Sequence, residues 1–142
     1  MKQDAKTFVD TSYFVALLNR SDRHHGDAVA LAARWDRLRT DLITTDAVLV
    51  ETYNWFARSP ARATAARALG QLGAQPGWLV VHASPELIEQ ARKRYLVHGD
   101  KTWSLTDCIS MEVAAAAKVN GVATTDHHFT QAGFEVLLPL SS

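Results

Sequence analysis

The sequence predicts an α/β fold in which helices cover both faces of a mostly parallel sheet of short strands. Three observations predict it. Short apolar runs alternate with longer stretches of helical periodicity. The runs are three or four residues long, and helical segments separate most of them. Proline, glycine and small polar residues punctuate the chain at the junctions. At 142 residues the chain suits one domain, read as residues 1–142, with no repeat or low-complexity segment to divide it.

The elements follow in order. Thr7-Phe8-Val9 is a first strand that ends at Asp10, and Ser12 to Leu18 a helix. Asp22 to Leu38 is a second helix, with Ala28, Leu31, Ala32 and Trp35 at helical spacing. Leu42-Ile43-Thr44 is the second strand. Thr45 or Asp46 caps a helix running to about Ala57. After Ser59-Pro60, an alanine-rich helix spans Ala61 to Leu72 and closes at Gly73. Gln75-Pro76-Gly77 turns into a third strand, Trp78-Leu79-Val80-Val81. Ser84-Pro85-Glu86 starts a helix to about Tyr95, with proline at its first position. Ser104 starts another, ending near Asn120-Gly121. Val122-Ala123-Thr124 is a fourth strand and Glu135 to Leu138 a fifth.

Composition is that of an ordinary globular chain, 47% hydrophobic and 21% charged. The one cysteine, Cys108, cannot form an internal disulfide, which points to a reducing compartment. Met1 to Lys6 has no apolar leader core, and no apolar run is long enough to span a membrane. These features place the chain in the cytoplasm, off the membrane. Net charge is zero, unlike most nucleic-acid binders. Arg58, Arg62 and Arg67, and Arg92, Lys93 and Arg94, form local basic groups that suit either a phosphate backbone or a solvated helix face.

Ligands of such sheets bind beyond the carboxyl ends of the strands. Asp10 follows the first strand and Asp126 the fourth, so both belong at that edge, although aspartate there also serves as a helix cap or turn former. Glu51 sits in Ala47 to Phe56, apolar on most sides and expected to be largely buried. A carboxylate there needs a site, a buried arginine partner, or an exposed flank. Asp107, three residues after Ser104, resembles a capping box. The helix it opens is apolar nearly all round, and its first turn should point toward the same edge. Carboxylates gathered at one place repel unless one is protonated or a cation neutralises them. Mg²⁺ and Mn²⁺ take oxygen ligands, and such a cation suits a metal-dependent phosphodiesterase.

Four segments occur in order: Asp10-Thr11-Ser12; Val48-Leu49-Val50-Glu51-Thr52; Trp103-Ser104-Leu105-Thr106-Asp107-Cys108; and Thr124-Thr125-Asp126-His127-His128-Phe129. Together they resemble the PIN-domain family, and especially its VapC-type toxins, over essentially the whole chain. The resemblance implies a three-layer α/β/α sandwich and a Mg²⁺- or Mn²⁺-dependent endoribonuclease acting on structured RNA. It carries Asp10, Glu51, Asp107 and Asp126 over as catalytic and metal-binding residues, with Thr11, Ser12, Ser104 and Thr125 as polar companions. It also implies a homodimer and a cognate antitoxin. Glu112 departs from the pattern, because similar sequences carry an apolar residue there; it suits solvent, a dimer partner or the metal site.

Other residues read more plainly. His24-His25 is a solvated helix start, without a cysteine or third histidine at zinc-like spacing. His128 orders its loop rather than binding metal. Cys108 packs in the core, as do Trp35, Trp55 and Trp78; Trp103 sits beside the site, where it suits packing first and stacking on a base second. Rival readings are a HAD-type phosphatase, a receiver domain, or a catalytically silent PIN-like binding module. The first requires an aspartate two residues after Asp10, where Ser12 stands; the second a late lysine, absent from Val122 to Phe129; the third the loss of an acid.

Overall fold

A computed structural model describes residues 6–140; Met1–Ala5, which holds most of the segment read as lacking a leader core, and Ser141–Ser142 lie outside it. Four strands, β1 (Lys6–Val9), β2 (Asp41–Thr45), β3 (Trp78–Val81) and β4 (Gly121–Ala123), form one sheet in the order β3-β2-β1-β4. All three pairings are parallel. Successive residues of a strand face opposite sides of the sheet. Thr7, Phe8 and Val9 are nonetheless all buried, as are Leu42 to Thr45 and Gly121 to Ala123, so helices cover both faces. The chain steps outward from β1 to β2 to β3, then returns to place β4 on the other side of β1. The connections therefore diverge between β1 and β4, which opens a crevice beyond their carboxyl ends.

The helices are α1 (Thr11–Leu18), α2 (His25–Leu38), α3 (Asp46–Trp55), α4 (Arg62–Gly70), α5 (Pro85–Val97), α6 (Leu105–Ala117) and a short α7 (His128–Gln131). Their starts follow their caps. The Thr45 hydroxyl accepts from the Val48 amide at 3.1 Å, and Ser84 accepts from Leu87 at 3.1 Å with Pro85 at the first helical position. Asp46 is thereby free of the capping role, and its carboxylate accepts from the Ala83 amide at 3.1 Å, tying the end of β3 to α3. Gly77, with φ of +84°, makes the turn into β3 that residues with a Cβ adopt at a cost.

Several boundaries differ from the sequence expectation. Helix α2 starts at His25, because Asp22 spends its carboxylate on the His24 amide (2.8 Å) and closes a turn first. Helix α4 ends at Gly70, and a 3₁₀ turn, Leu72–Ala74, replaces its last residues. Helix α6 ends at Ala117, with Lys118 in the left-handed conformation, rather than at Asn120-Gly121. Gly121 instead belongs to β4, where a Cβ would come within 2.9 Å of the Leu137 side chain. The fifth strand is reduced to one parallel bridge, Val122 to Val136. Val122 donates to Glu135 O and Leu137 to Val122 O, and Pro139, which lacks an amide hydrogen, cannot extend the ladder. Glu112 faces neither the acids nor open solvent, because Arg94 Nε of α5 donates to its Oε2 at 2.6 Å across to α6.

Candidate active site

The carboxyl ends of β1 and β4 are joined by one bond, from the Asp10 amide to Ala123 O at 3.1 Å. Asp10 leaves β1 in extended conformation and occupies the N-cap position of α1, but its side chain makes no capping bond. It turns into the fold, where Thr124 Oγ1 donates to its Oδ2 at 2.8 Å. Thr124 is fully buried and acts as a hub. Its hydroxyl also accepts from the Asp126 amide (3.0 Å) and lies 2.9 Å from Ser12 Oγ. Since Thr124 spends its one proton on Asp10, Ser12 must donate to Thr124, and its own lone pair accepts from the Thr125 amide at 2.9 Å. Sequence reading assigned Thr124 to a strand and missed this role; its signal is a hydroxyl at the strand end directly ahead of Thr125-Asp126.

Asp107 is the third residue of α6, and the capping box expected with Ser104 is present in both directions, at 2.9 and 3.0 Å. The cap and the site are therefore one arrangement. Asp126 accepts from the His128 amide at 2.9 Å. The His128 ring then bridges the two acids: Nδ1 lies 3.1 Å from Asp107 Oδ2 and 3.1 Å from Asp126 Oδ1, while Nε2 lies 3.0 Å from Thr102 Oγ1. The histidine thus fixes two carboxylates as well as its own loop.

Glu51 corrects the expectation of a buried helix. Only Val48 and Thr52 of α3 are buried; Val50, Glu51, Tyr53 and Trp55 are exposed. The helix covers the core with a narrow stripe, so a run of apolar residues does not imply burial all round. Glu51 meets the site from the exposed side, and Thr11 Oγ1 donates to its Oε1. Among the described residues no buried arginine pair with Glu51 is seen, and Glu51 lies on the exposed flank of the helix. Trp55 is 50% exposed and so is not core, whereas Trp35 and Trp103 are buried as expected. Trp103 donates through Nε1 to Gln131 at 2.9 Å. Cys108 is fully buried, and burial raises its thiol pKa, in keeping with packing.

All four acids line one cleft of about 340 Å³, with Thr11, Ser12, Ser104 and Thr125 and with Val15, Asp22, His24 and Trp55. His24 stands in this wall, while His25 turns inward, its Nδ1 2.8 Å from Ala16 O. A larger cavity of about 740 Å³ opens at the amino ends of β2 and β3 among Tyr13, Phe14, Trp35 and Trp78, away from the four acids. Burial pushes the Asp10 carboxyl up to about 7; bonds from Thr124 and the Thr11 amide oppose the rise, and the charges of Asp107 and Glu51 add to it. A buried carboxylate among like charges marks a place short of positive charge. The four acids offer carboxylate oxygens, which suit a hard divalent cation, and beside them Asp126, His127 and His128 each place a ligand atom within 4.8 Å of the others.

Comparison with known proteins bears on the family and the fold. The PIN domain family model matches residues 7–135. The 23S rRNA-specific endonuclease VapC20, from two strains of Mycobacterium tuberculosis, is 32% identical over 133 residues, 93% of this chain and 98% of the relative. The crystal structure of M. tuberculosis VapC20, a Sarcin-Ricin loop cleaving toxin, superposes with a TM-score of 0.80 at 29% identity, covering 90% of this chain and 95% of that one. VapBC2 from Rickettsia felis, bound to a DNA fragment from its promoter, shares the fold with a TM-score of 0.62 at 13% identity, covering 92% and 96%. FitAcB from Neisseria gonorrhoeae does so at 0.61 and 18%, covering 92% and 95%.

Proposed function

This chain belongs to the PIN-domain family, and from that premise we propose that it is a metal-dependent endoribonuclease whose site is Asp10, Glu51, Asp107 and Asp126. The observation that carries the reading is the convergence of these acids, from four separate elements, on one cleft at the carboxyl edge of the sheet. The same four residues would hold Mg²⁺ or Mn²⁺. A divalent cation bound there supplies Lewis acidity and lowers the pKa of water for attack on a phosphodiester. The protein's own contribution is placement. Thr124 and Ser12 lock Asp10 to the β4 loop, Ser104 and His128 hold Asp107 Oδ2, His128 also holds Asp126 Oδ1, and Thr11 orients Glu51. The phosphatase reading lapses with the family match, and the silent-module reading is disfavoured because none of the four acids is lost from the sequence.

The relatives supply the rest of the reading. VapC20 is named for 23S rRNA, so a ribosomal RNA loop is the first substrate to offer. The chain would act as the toxin of a toxin-antitoxin pair in the cytoplasm, restrained by a cognate antitoxin; no helix among the described residues is long and apolar enough to cross a membrane. A homodimer is proposed on the exposed Tyr95, Leu96 and Val97 at the end of α5, an apolar surface that self-association would cover. Sedimentation as a dimer at micromolar concentration is the expected result, and monomer alone removes this part. The nuclease reading is tested on a gel with ribosomal RNA. Internal cuts should appear with Mn²⁺ and vanish in excess EDTA. Cutting undiminished by EDTA, or none in Mn²⁺, overturns the reading.

A further inference from the structure

We propose that Trp55 is a stacking platform for a nucleobase of the RNA strand lying in the acidic cleft, an inference that rests on the nuclease reading above. Trp55 closes α3 four residues after Glu51. At helical geometry the two lie about 40° apart around the axis, one turn along the same face. The indole accordingly lines the same cleft as the four acids. Of the four tryptophans it is the exposed one, at 50%.

The indole is propped from behind. Its ring meets Phe56 edge to face, with centroids 4.9 Å apart and planes at 67°. Phe56 is buried in a small cluster with Val15 and Ala65, and Val15 also lines the cleft. A ring held in this way presents a flat face at little further loss of side-chain freedom. The turn that follows is held by Arg62, whose Nη1 donates to Ala57 O at 2.8 Å, two residues after Trp55. A flat, half-exposed aromatic face lining the cleft that holds the four acids has the stacking chemistry of a single-strand binding groove. An apolar protein partner fits this face poorly, because the cleft around Trp55 is walled by Asp22, Glu51 and other polar groups. The exposed apolar residues of α3, Val50 and Tyr53, lie on the far side of the helix, roughly 140° or more from Trp55.

Base stacking on an aromatic ring changes affinity by between about fivefold and a hundredfold. A short single-stranded oligoadenylate, added to the full chain in Ca²⁺, should quench the exposed tryptophan fluorescence, and an abasic oligomer of equal length should not. Trp55→Ala should abolish the quenching and raise KM for RNA about tenfold, with kcat changed less than about twofold. Trp55→Phe should restore most of the affinity. Equal quenching by the abasic oligomer, or an unchanged KM in Trp55→Ala, overturns the proposal. So does a Trp55→Ala protein that sediments as a smaller species than wild type, which would assign the indole to a contact between copies of the chain. If the wild type cuts no RNA, the nuclease reading fails by itself, and the fluorescence titration still decides the stacking.

Discussion

The β4 side of the cleft and its α3 side hold their carboxylates in opposite ways. On the β4 side, Asp10 and Asp107 are buried, and every acid is met by at least one hydroxyl, amide or imidazole of its own neighbourhood. On the α3 side, Glu51 is exposed and receives one bond, from Thr11, and Trp55 beside it is half in solvent. The first wall is built before any ligand arrives; the second is left open to meet one. A preorganised wall suits the placing of a cation, whose ligands must hold their geometry, and an open wall suits a polymer that enters and leaves.

The contrast is sharpest in variants that remove one charge. Asp107→Asn and Glu51→Gln should each lower RNA cleavage by about a hundredfold or more, because metal activation of water supplies several kcal/mol of barrier lowering. Their effects on stability should differ. Asp107→Asn also weakens the α6 cap and should cost about 1 kcal/mol, whereas exposed Glu51→Gln should stay within about 0.5 kcal/mol of wild type. Denaturant midpoints in EDTA measure the difference, and equal losses would erase the distinction between the walls. His128→Ala should cost about ten- to a hundredfold in activity by freeing Asp107 and Asp126. Its kcat and Mn²⁺ requirement should change together, and an unaltered Mn²⁺ requirement would leave the ring a loop element only.

Charge on the buried wall should also be visible without metal. The Asp10 pKa is raised from 3.8 to about 7. In that window the folded state keeps a proton that the unfolded chain has lost, so the Asp10 contribution to stability is full below about pH 4 and is lost as pH rises toward 7. The slope should approach about 1.4 kcal/mol per pH unit. Asp10→Asn should flatten it, and a slope retained in that variant would assign the titration to another group. The smallest effect belongs to Thr11→Val, which removes only the bond that orients Glu51 and should lower activity by about fivefold, the equivalent of one ordinary hydrogen bond.

The sequence carried much of this arrangement and hid a definite part. Parallel strands of alternating topology put Asp10 and Asp126 at one edge, and capping chemistry placed Asp107 in the first turn of α6. These follow from local rules, and the order of the four acid segments carried the family. Glu51 was found for the wrong reason: the apolar run around it reads as buried, yet residue content does not say how wide a stripe a helix presents to the core. Thr124 and the His128 bridge were not legible as site features, because each depends on contacts between segments more than twenty residues apart or on which way one ring turns. The fifth strand shrank to a single bridge beside β4, where Pro139 has no amide hydrogen to carry the ladder on.

The central claim is that four carboxylates from two unlike walls bind one kind of ion together. It is tested most directly by the Mn²⁺-induced rise in melting temperature, compared between wild type and the single variants Asp10→Asn, Glu51→Gln, Asp107→Asn and Asp126→Asn. A cation that binds only the folded state raises the transition in proportion to its affinity. The expected result is a clear rise in wild type that shrinks in all four variants, Glu51→Gln included. A full rise in any one of them would remove that residue from the site, and a full rise in Asp10→Asn would contradict the account as a whole.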